Sequence, residues 1–207
     1  MIKMKQPSLC FNACDMDWPR YQMWRTIVGP KHMTPKQLVE AITLANFQAI
    51  GFAGSSLVNV IINSHGGPGG LNIGGVMTGA TMLWDDLGVF SALKPFKIGA
   101  IWLVSCRAAQ GKFGVRFCHT LAQAAGTQVI AADDYQSVAN ARQAVGLALA
   151  FYGHIDDFEG TLYSFSPAGG VVKGIDPSET TFSAVKDVLW SVFGPAPEGW
   201  LWQMGLR

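Results

Sequence analysis

Apolar positions in this chain fall into two kinds of run. Residues 57–62, LVNVII, and 98–104, IGAIWLV, are nearly continuous, broken only by Asn59 and Gly99. Runs without polar alternation predict parallel strands buried on both faces. A shorter run, 128–132, predicts a third such strand, and 24–28 a first one, closed by Gly29-Pro30. Between them the spacing is helical. Over 35–49, Leu38, Ile42 and Ala45 share one face, with Thr34 at the N-cap, Pro35 at N1 and Gly51 and Gly54 beyond. Met82, Leu83, Leu87, Phe90 and Leu93 predict a helix over 81–93, broken by Lys94-Pro95-Phe96. Further helices are expected over 113–125, closed by Gly126, over 137–152 and over 181–193. A hairpin is expected from 161–166 and 171–173, and a short hairpin or flap over 71–76.

The alternation of strand and helix predicts an α/β fold with a mostly parallel central sheet flanked by helices on both faces. Right-handed crossovers set 57–63, 98–105 and 128–132 side by side, with their carboxyl ends at one edge. At 207 residues the chain is expected to be a single domain. An irregular N-terminal arm, 1–24, precedes an α/β core, 25–193, and a Trp-rich tail, 194–207.

Composition narrows the class. A hydrophobic fraction of 49% with 14% charged residues describes a well-buried globular chain. A formal net charge of +1 leaves no basic footprint for nucleic acid. The apolar tract 144–153 is about ten residues, too short to cross roughly 30 Å of hydrocarbon. Residues 1–18 have lysines but lack the apolar core of a secretory signal. The expectation is no membrane span and a cytoplasmic protein, or one secreted by a route without a cleavable signal. Four cysteines, Cys10, Cys14, Cys106 and Cys118, have neither disulfide-framework spacing nor paired C-x-x-C modules. Cys10, Cys14, His32 and His119 are the zinc ligands to consider, but that spacing argues against a metal. Reduced thiols and no cofactor are expected.

The sharpest chemistry sits at two strand ends. The run at 57 stops at Ser64-His65-Gly66-Gly67-Pro68-Gly69-Gly70, and the run at 98 stops at Ser105-Cys106. In open α/β sheets ligands bind at that end of the strands. A thiol attacks as thiolate and needs a base, which His65 supplies before it protonates the leaving amine. Backbone N–H groups of Gly66 and Cys106 are the oxyanion donors to expect. A helix following Cys106 would favour thiolate if its N-terminus lies close enough. The glycine loop is not a phosphate-binding loop, because no Lys follows at the P-loop spacing.

Strand-Ser-His-Gly followed by strand-Ser-Cys resembles the caspase-like cysteine peptidases (clan CD). That clan also holds gingipains, clostripain, legumains, separases, metacaspases and the bacterial CHAT domains. The resemblance covers residues 55–135. The caspase signature Q-A-C-[RQG]-G is only half present, since Val104-Ser105-Cys106-Arg107-Ala108 keeps the Cys and Arg alone, so cleavage after Asp is not implied. Ala108-Ala109-Gln110-Gly111 and the helix ending at Ala125-Gly126 look closer to the CHAT-like branch. The resemblance implies a caspase-like fold and a cysteine endopeptidase with a His65–Cys106 dyad, working through an acyl-thioenzyme on a protein or peptide substrate. It also implies that the strand after the Cys strand helps form the specificity pocket. Asp133 and Asp134 there would suit Arg or Lys in the substrate, whereas Arg107 would favour an acidic residue. A homodimer or a regulatory protein partner stays open. So do two other readings: an inactive caspase-like interaction module, and a small-molecule amide or acyl hydrolase using the same dyad.

Overall fold

In chain order the strands and helices begin with β1 (Ile2–Lys3), β2 (Ser8–Asn12), β3 (Arg25–Val28), α1 (Pro35–Ala53), β4 (Asn59–Asn63), β5 (His65–Gly67), β6 (Gly70–Asn72) and β7 (Met82–Leu83). A 3-10 helix (Trp84–Phe96) follows, then β8 (Ala100–Val104), α2 (Gly111–Ala125), β9 (Gln128–Ala132), β10 (His154–Ile155), β11 (Leu162–Phe165) and β12 (Val171–Lys173). This computed structural model describes residues 2–16, 20–75, 81–136 and 152–175. All of them fall in one compact unit, Met1–Asp176. The helices expected over 137–152 and 181–193 and the tail 194–207 lie outside the described residues.

Seven strands make the main sheet, in the order β12-β11-β9-β8-β4-β2-β3. From β3 to β9 every neighbour is parallel, whereas β11 and β12 run antiparallel. The sheet is therefore mixed, not mostly parallel. The expected hairpin β11–β12 adds to the β9 edge in the reverse direction. Only residues 166–170 join β11 to β12, a turn short enough for an antiparallel pair and too short for a parallel crossover.

The register sorts side chains onto two faces. Leu9, Val60, Ile101 and Val129 are aligned across the sheet. They pack with Leu38 and Ile42 of α1, Phe117 and Leu121 of α2, and Phe90 of the 3-10 helix. One residue on, Cys10, Ile61, Trp102 and Ile130 face the other way, onto Met4, Tyr21, Met23 and Ile155. Among the described residues the helices thus cover one face. The antiparallel ribbon β1–β10 and its flanking segments cover the opposite one.

Two local readings change. Residues 8–12, expected in an irregular arm, form β2, an inner strand between β4 and β3. Its polar ends, Ser8 and Asn12, hide the strand in the sequence, yet all five residues are buried. The Asn63 amide donates to Asn12 Oδ1 at 2.8 Å, and the Asn12 amide donates to the Tyr21 carbonyl at 3.1 Å. Asn59, the one polar break in its run, donates to Ser8 Oγ at 3.0 Å and accepts from Trp102 Nε1 at 2.9 Å. Buried amides are tolerated when their partners are also buried.

The expected helix over 81–93 is instead a strand followed by a 3-10 helix. Met82 and Leu83 pair with β6, and the Leu83 N–H donates to the Asp86 carboxylate at 2.8 Å. Trp84, Leu87, Phe90, Leu93 and Phe96 recur every third residue, the period of a 3-10 helix, and the element runs through Pro95. α1 starts as expected, with a reciprocal Thr34–Gln37 capping box. It continues past Gly51 to end on Gly54 at φ 69°.

Candidate functional site

The carboxyl ends of β4, β8 and β9 meet at one edge. At the last β4–β8 pair, Asn63 lies opposite Val104, and the Ser64 N–H donates to the Val104 carbonyl at 3.3 Å. The buried Ser64 and Ser105 hydroxyls then hydrogen-bond at 3.1 Å. This bond ties the two strand ends together, and the next residues on either side of it are His65 and Cys106. His65 is exposed and opens β5, whereas Cys106 is half-buried at the start of a turn. The thiol points to the Gln136 carbonyl, with Sγ at 3.8 Å. No hydrogen bond joins His65 to Cys106. The tract 107–110 separates Cys106 from α2, and helix-dipole effects fade beyond the first turn.

Beyond His65 the chain folds back at once. Gly67 and Gly70 pair across the two-residue turn Pro68-Gly69, with Gly69 at φ 90°, the geometry of a type II turn. Antiparallel pairs alternate between hydrogen-bonded and non-bonded. Because Gly67–Gly70 flanks the turn as a bonded pair, Gly66–Leu71 is non-bonded, and the Gly66 N–H points away from β6. A Cβ on Gly66 would lie 3.1 Å from Ser105 Cβ and 3.2 Å from the Gly70 carbonyl. Glycine here lets the hairpin lie against the Cys106 strand. The flap expected over 71–76 is thus a three-stranded antiparallel sheet, β5-β6-β7, that includes His65 itself.

The charged residues separate into different roles. Asp133 turns toward β11, where its carboxylate accepts the Thr161 N–H at 2.7 Å and the Tyr163 hydroxyl at 3.0 Å. Burial, followed by the Asp133 carboxylate, pushes the Tyr163 phenol above its ordinary range. The exposed Asp134 carboxylate accepts the N–H of its neighbour Tyr135 at 2.7 Å. Arg107 stays beside Cys106. Its backbone sits at φ 53°, its N–H donates to the Asp134 carbonyl at 2.8 Å, and its guanidinium lies 4.3 Å over the Tyr135 ring. Its Nε is shielded from solvent and has no hydrogen-bond partner among the described residues.

An open groove of about 490 Å³ runs along the glycine hairpin. The Gly67–Gly70 backbone, Leu83, Trp84 and Phe113 line it. Trp84 and Phe113 stack at 5.9 Å with 13° between their planes. Arg116 lies 5.1 Å over Trp84, and Lys112 lies 5.2 Å over Phe113. The helical apolar stripes drawn from the sequence left out both rings. The signal available was an every-third row headed by Trp84 and an aromatic at the start of α2.

The remaining ligand-type residues are scattered. Cys10 and Cys118 are buried, and burial pushes both thiols far up. His119 lies in α2, and His154 lies in β10 with Nδ1 3.0 Å from the Tyr152 carbonyl. Among the described residues no group of three or more His, Cys, Asp or Glu could hold a metal. None of their helices is long and apolar enough to cross a membrane. Brief iodoacetamide treatment of the native protein is expected to modify Cys106 and Cys14, the two partly exposed thiols, and to spare Cys10 and Cys118. Peptide mass mapping reads this directly. Modification of Cys10 before unfolding would contradict its place in β2.

A family model described as a domain of unknown function (DUF4347) matches residues 37–143, just over half of the chain. The matched stretch includes α1 from Gln37 on, His65, Cys106 and Asp134. No curated protein matches the chain.

Proposed function

We propose that this chain, which belongs to the DUF4347 family, is a caspase-like cysteine endopeptidase that works through His65 and Cys106. The observation that carries the reading is the Ser64–Ser105 hydroxyl bond. It ties the two strand ends together, and His65 and Cys106 are the residues that follow it on either strand. In the reaction the Cys106 proton passes to His65, and the thiolate attacks the scissile carbonyl. The carbonyl oxygen becomes an oxyanion facing the N–H groups of Gly66 and Cys106. The C–N bond then breaks, and His65 returns the proton to the departing amine. Water, deprotonated by His65, attacks the acyl-thioenzyme, releases the acid and restores the thiol. These steps need no cofactor. Before attack, Sγ must leave the Gln136 carbonyl and rotate toward His65, a tightening that often accompanies substrate binding.

An open groove that begins at Gly66, the residue after His65, favours an extended peptide over a small molecule. Arg107, the residue after Cys106, would favour an acidic residue on the acyl side through its guanidinium charge. Asp133 is the weaker pocket residue, because β11 already uses its carboxylate. One observation favours the inactive interaction module: in the resting geometry the thiol bonds to Gln136 and not to His65.

Peptide probes with a thiol-reactive group next to Arg, Lys, Asp or Leu test the reading. The expected result is one label on Cys106, fastest with the Asp probe, absent in Cys106→Ala and lost to a large extent in His65→Gln. Arg107→Asn, in which Asn tolerates the left-handed backbone, is expected to erase the Asp preference. If Cys106 reacts no faster than Cys14 with every probe, the peptidase reading fails and the interaction module takes its place.

A further inference from the structure

We propose that the groove along β5 receives the residue that follows the scissile bond, a large apolar side chain with an acidic residue beside it. The inference rests on the peptidase reading and adds a second determinant of substrate choice, on the leaving side of the cut.

The direction follows from the chemistry of His65. The general acid must contact the leaving amine, so the chain beyond the cut departs past this ring. Next along the same strand come Gly66 and Gly67, and then the turn that forms the floor of the groove. A Cβ built on Gly67 meets nothing within 4 Å, so the floor is open where the departing chain would pass. At Gly69 a Cβ would lie 3.2 Å from the Trp84 ring and 3.3 Å from Phe113 Cβ. The turn therefore lies in contact with the aromatic wall, and its φ of 90° makes glycine the fitting residue.

The wall sets the chemistry of the occupant. Leu83 and Phe113, which line the groove, are 45% and 48% exposed. Together with the half-buried Trp84 they offer apolar surface to a Phe, Tyr or Leu side chain. The cations Lys112 and Arg116 stand over these rings on the α2 side. In the first turn of the 3-10 helix the Asp86 carboxylate is taken by the Leu83 N–H, and Asp85 lies exposed. An acidic residue next to the apolar one would face the α2 cations.

The test uses quenched-fluorescence peptides that share the acyl side preferred by the probes and differ after the cut, with Phe-Glu, Ala-Glu or Phe-Lys. Hydrolysis of Phe-Glu is expected to exceed Ala-Glu by about 10-fold in kcat/KM. Phe113→Ala should erase that difference. Gly67→Val should do the same by filling the groove, with its Cβ entering open space, so the result does not depend on deleting packing. In both variants the rate of Cys106 labelling by the acyl-side probe should stay within about twofold, because the probe places nothing beyond the cut. The Phe-Glu advantage over Phe-Lys should shrink in Arg116→Gln and at high salt. Equal rates for Phe-Glu and Ala-Glu, or a preference that survives both groove variants, would overturn the inference and leave the dyad standing. Failure of every probe to label Cys106 removes the dyad itself, and the inference with it.

Discussion

Cys106→Ala is expected to lower peptide hydrolysis by at least about 10³-fold while shifting the unfolding free energy by less than about 0.5 kcal/mol. The first figure follows from the role proposed for the thiol. With no nucleophile, the remaining groups can only bind the substrate and polarise its carbonyl. The second follows from position, because Cys106 is half-buried in a turn and its one hydrogen bond among the described residues is a long contact to Gln136. His65→Gln should cost about 10²- to 10⁴-fold in kcat with little change in stability, since His65 is exposed. The double variant should be no slower than Cys106→Ala alone, because groups that act as a unit do not add. Parallel measurement of hydrolysis and urea unfolding separates chemistry from folding. A His65→Gln enzyme that kept more than half its activity would remove His65 as the base.

The largest effect on stability is expected at Trp102. Trp102→Ala should destabilise the protein by about 3–5 kcal/mol, a substantial share of the roughly 5–15 kcal/mol available to a domain. Trp102 is 1% exposed, stacks near Phe158 at 6.2 Å between ring centroids, and donates its indole N–H to Asn59. Truncation would leave a cavity between the sheet and the segments that cover it, and would also orphan the Asn59 carbonyl. Trp102→Phe isolates the second cost. It keeps an aromatic ring but removes the donor, with an expected loss of about 1–3 kcal/mol. Because Trp102 and Asn59 sit on the strands that end at Cys106 and His65, Trp102→Ala should also lower thiol selectivity at Cys106 before global unfolding. The midpoint of urea unfolding measures both variants. A loss below about 1 kcal/mol for Trp102→Ala would contradict its packing.

Much of the frame was legible in the residues. The unbroken runs that became β4 and β8 had no solvent face to alternate with, so their burial on both sides could be read directly. Thr34-Pro35 marked the start of α1, because a hydroxyl N-cap and a proline at N1 satisfy two local constraints at once. Gly126 marked the end of α2 for an equally local reason, its φ of 67°. β2 was not legible. Ser8 and Asn12 read as polar until Asn59, Asn63 and Tyr21 are brought beside them. The 3-10 helix was misread because the first two residues of its apparent stripe, Met82 and Leu83, are claimed by β6. The antiparallel β11 and β12 were visible as a hairpin, but its direction relative to β9 was not.

The same division runs through the candidate site. The sequence alone placed His65 and Cys106 just past strand ends with Gly66 beside His65, because strand length, chain reversal and glycine are matters of neighbouring residues. Only the tertiary structure decided that Ser64 and Ser105 bond to each other, that Asp133 serves β11, that Arg107 keeps an unpartnered Nε, and that Trp84 and Phe113 form one wall. Those outcomes depend on which side chains meet across strands far apart in the chain, and a hydrogen bond or a ring stack exists only once packing has chosen its partner.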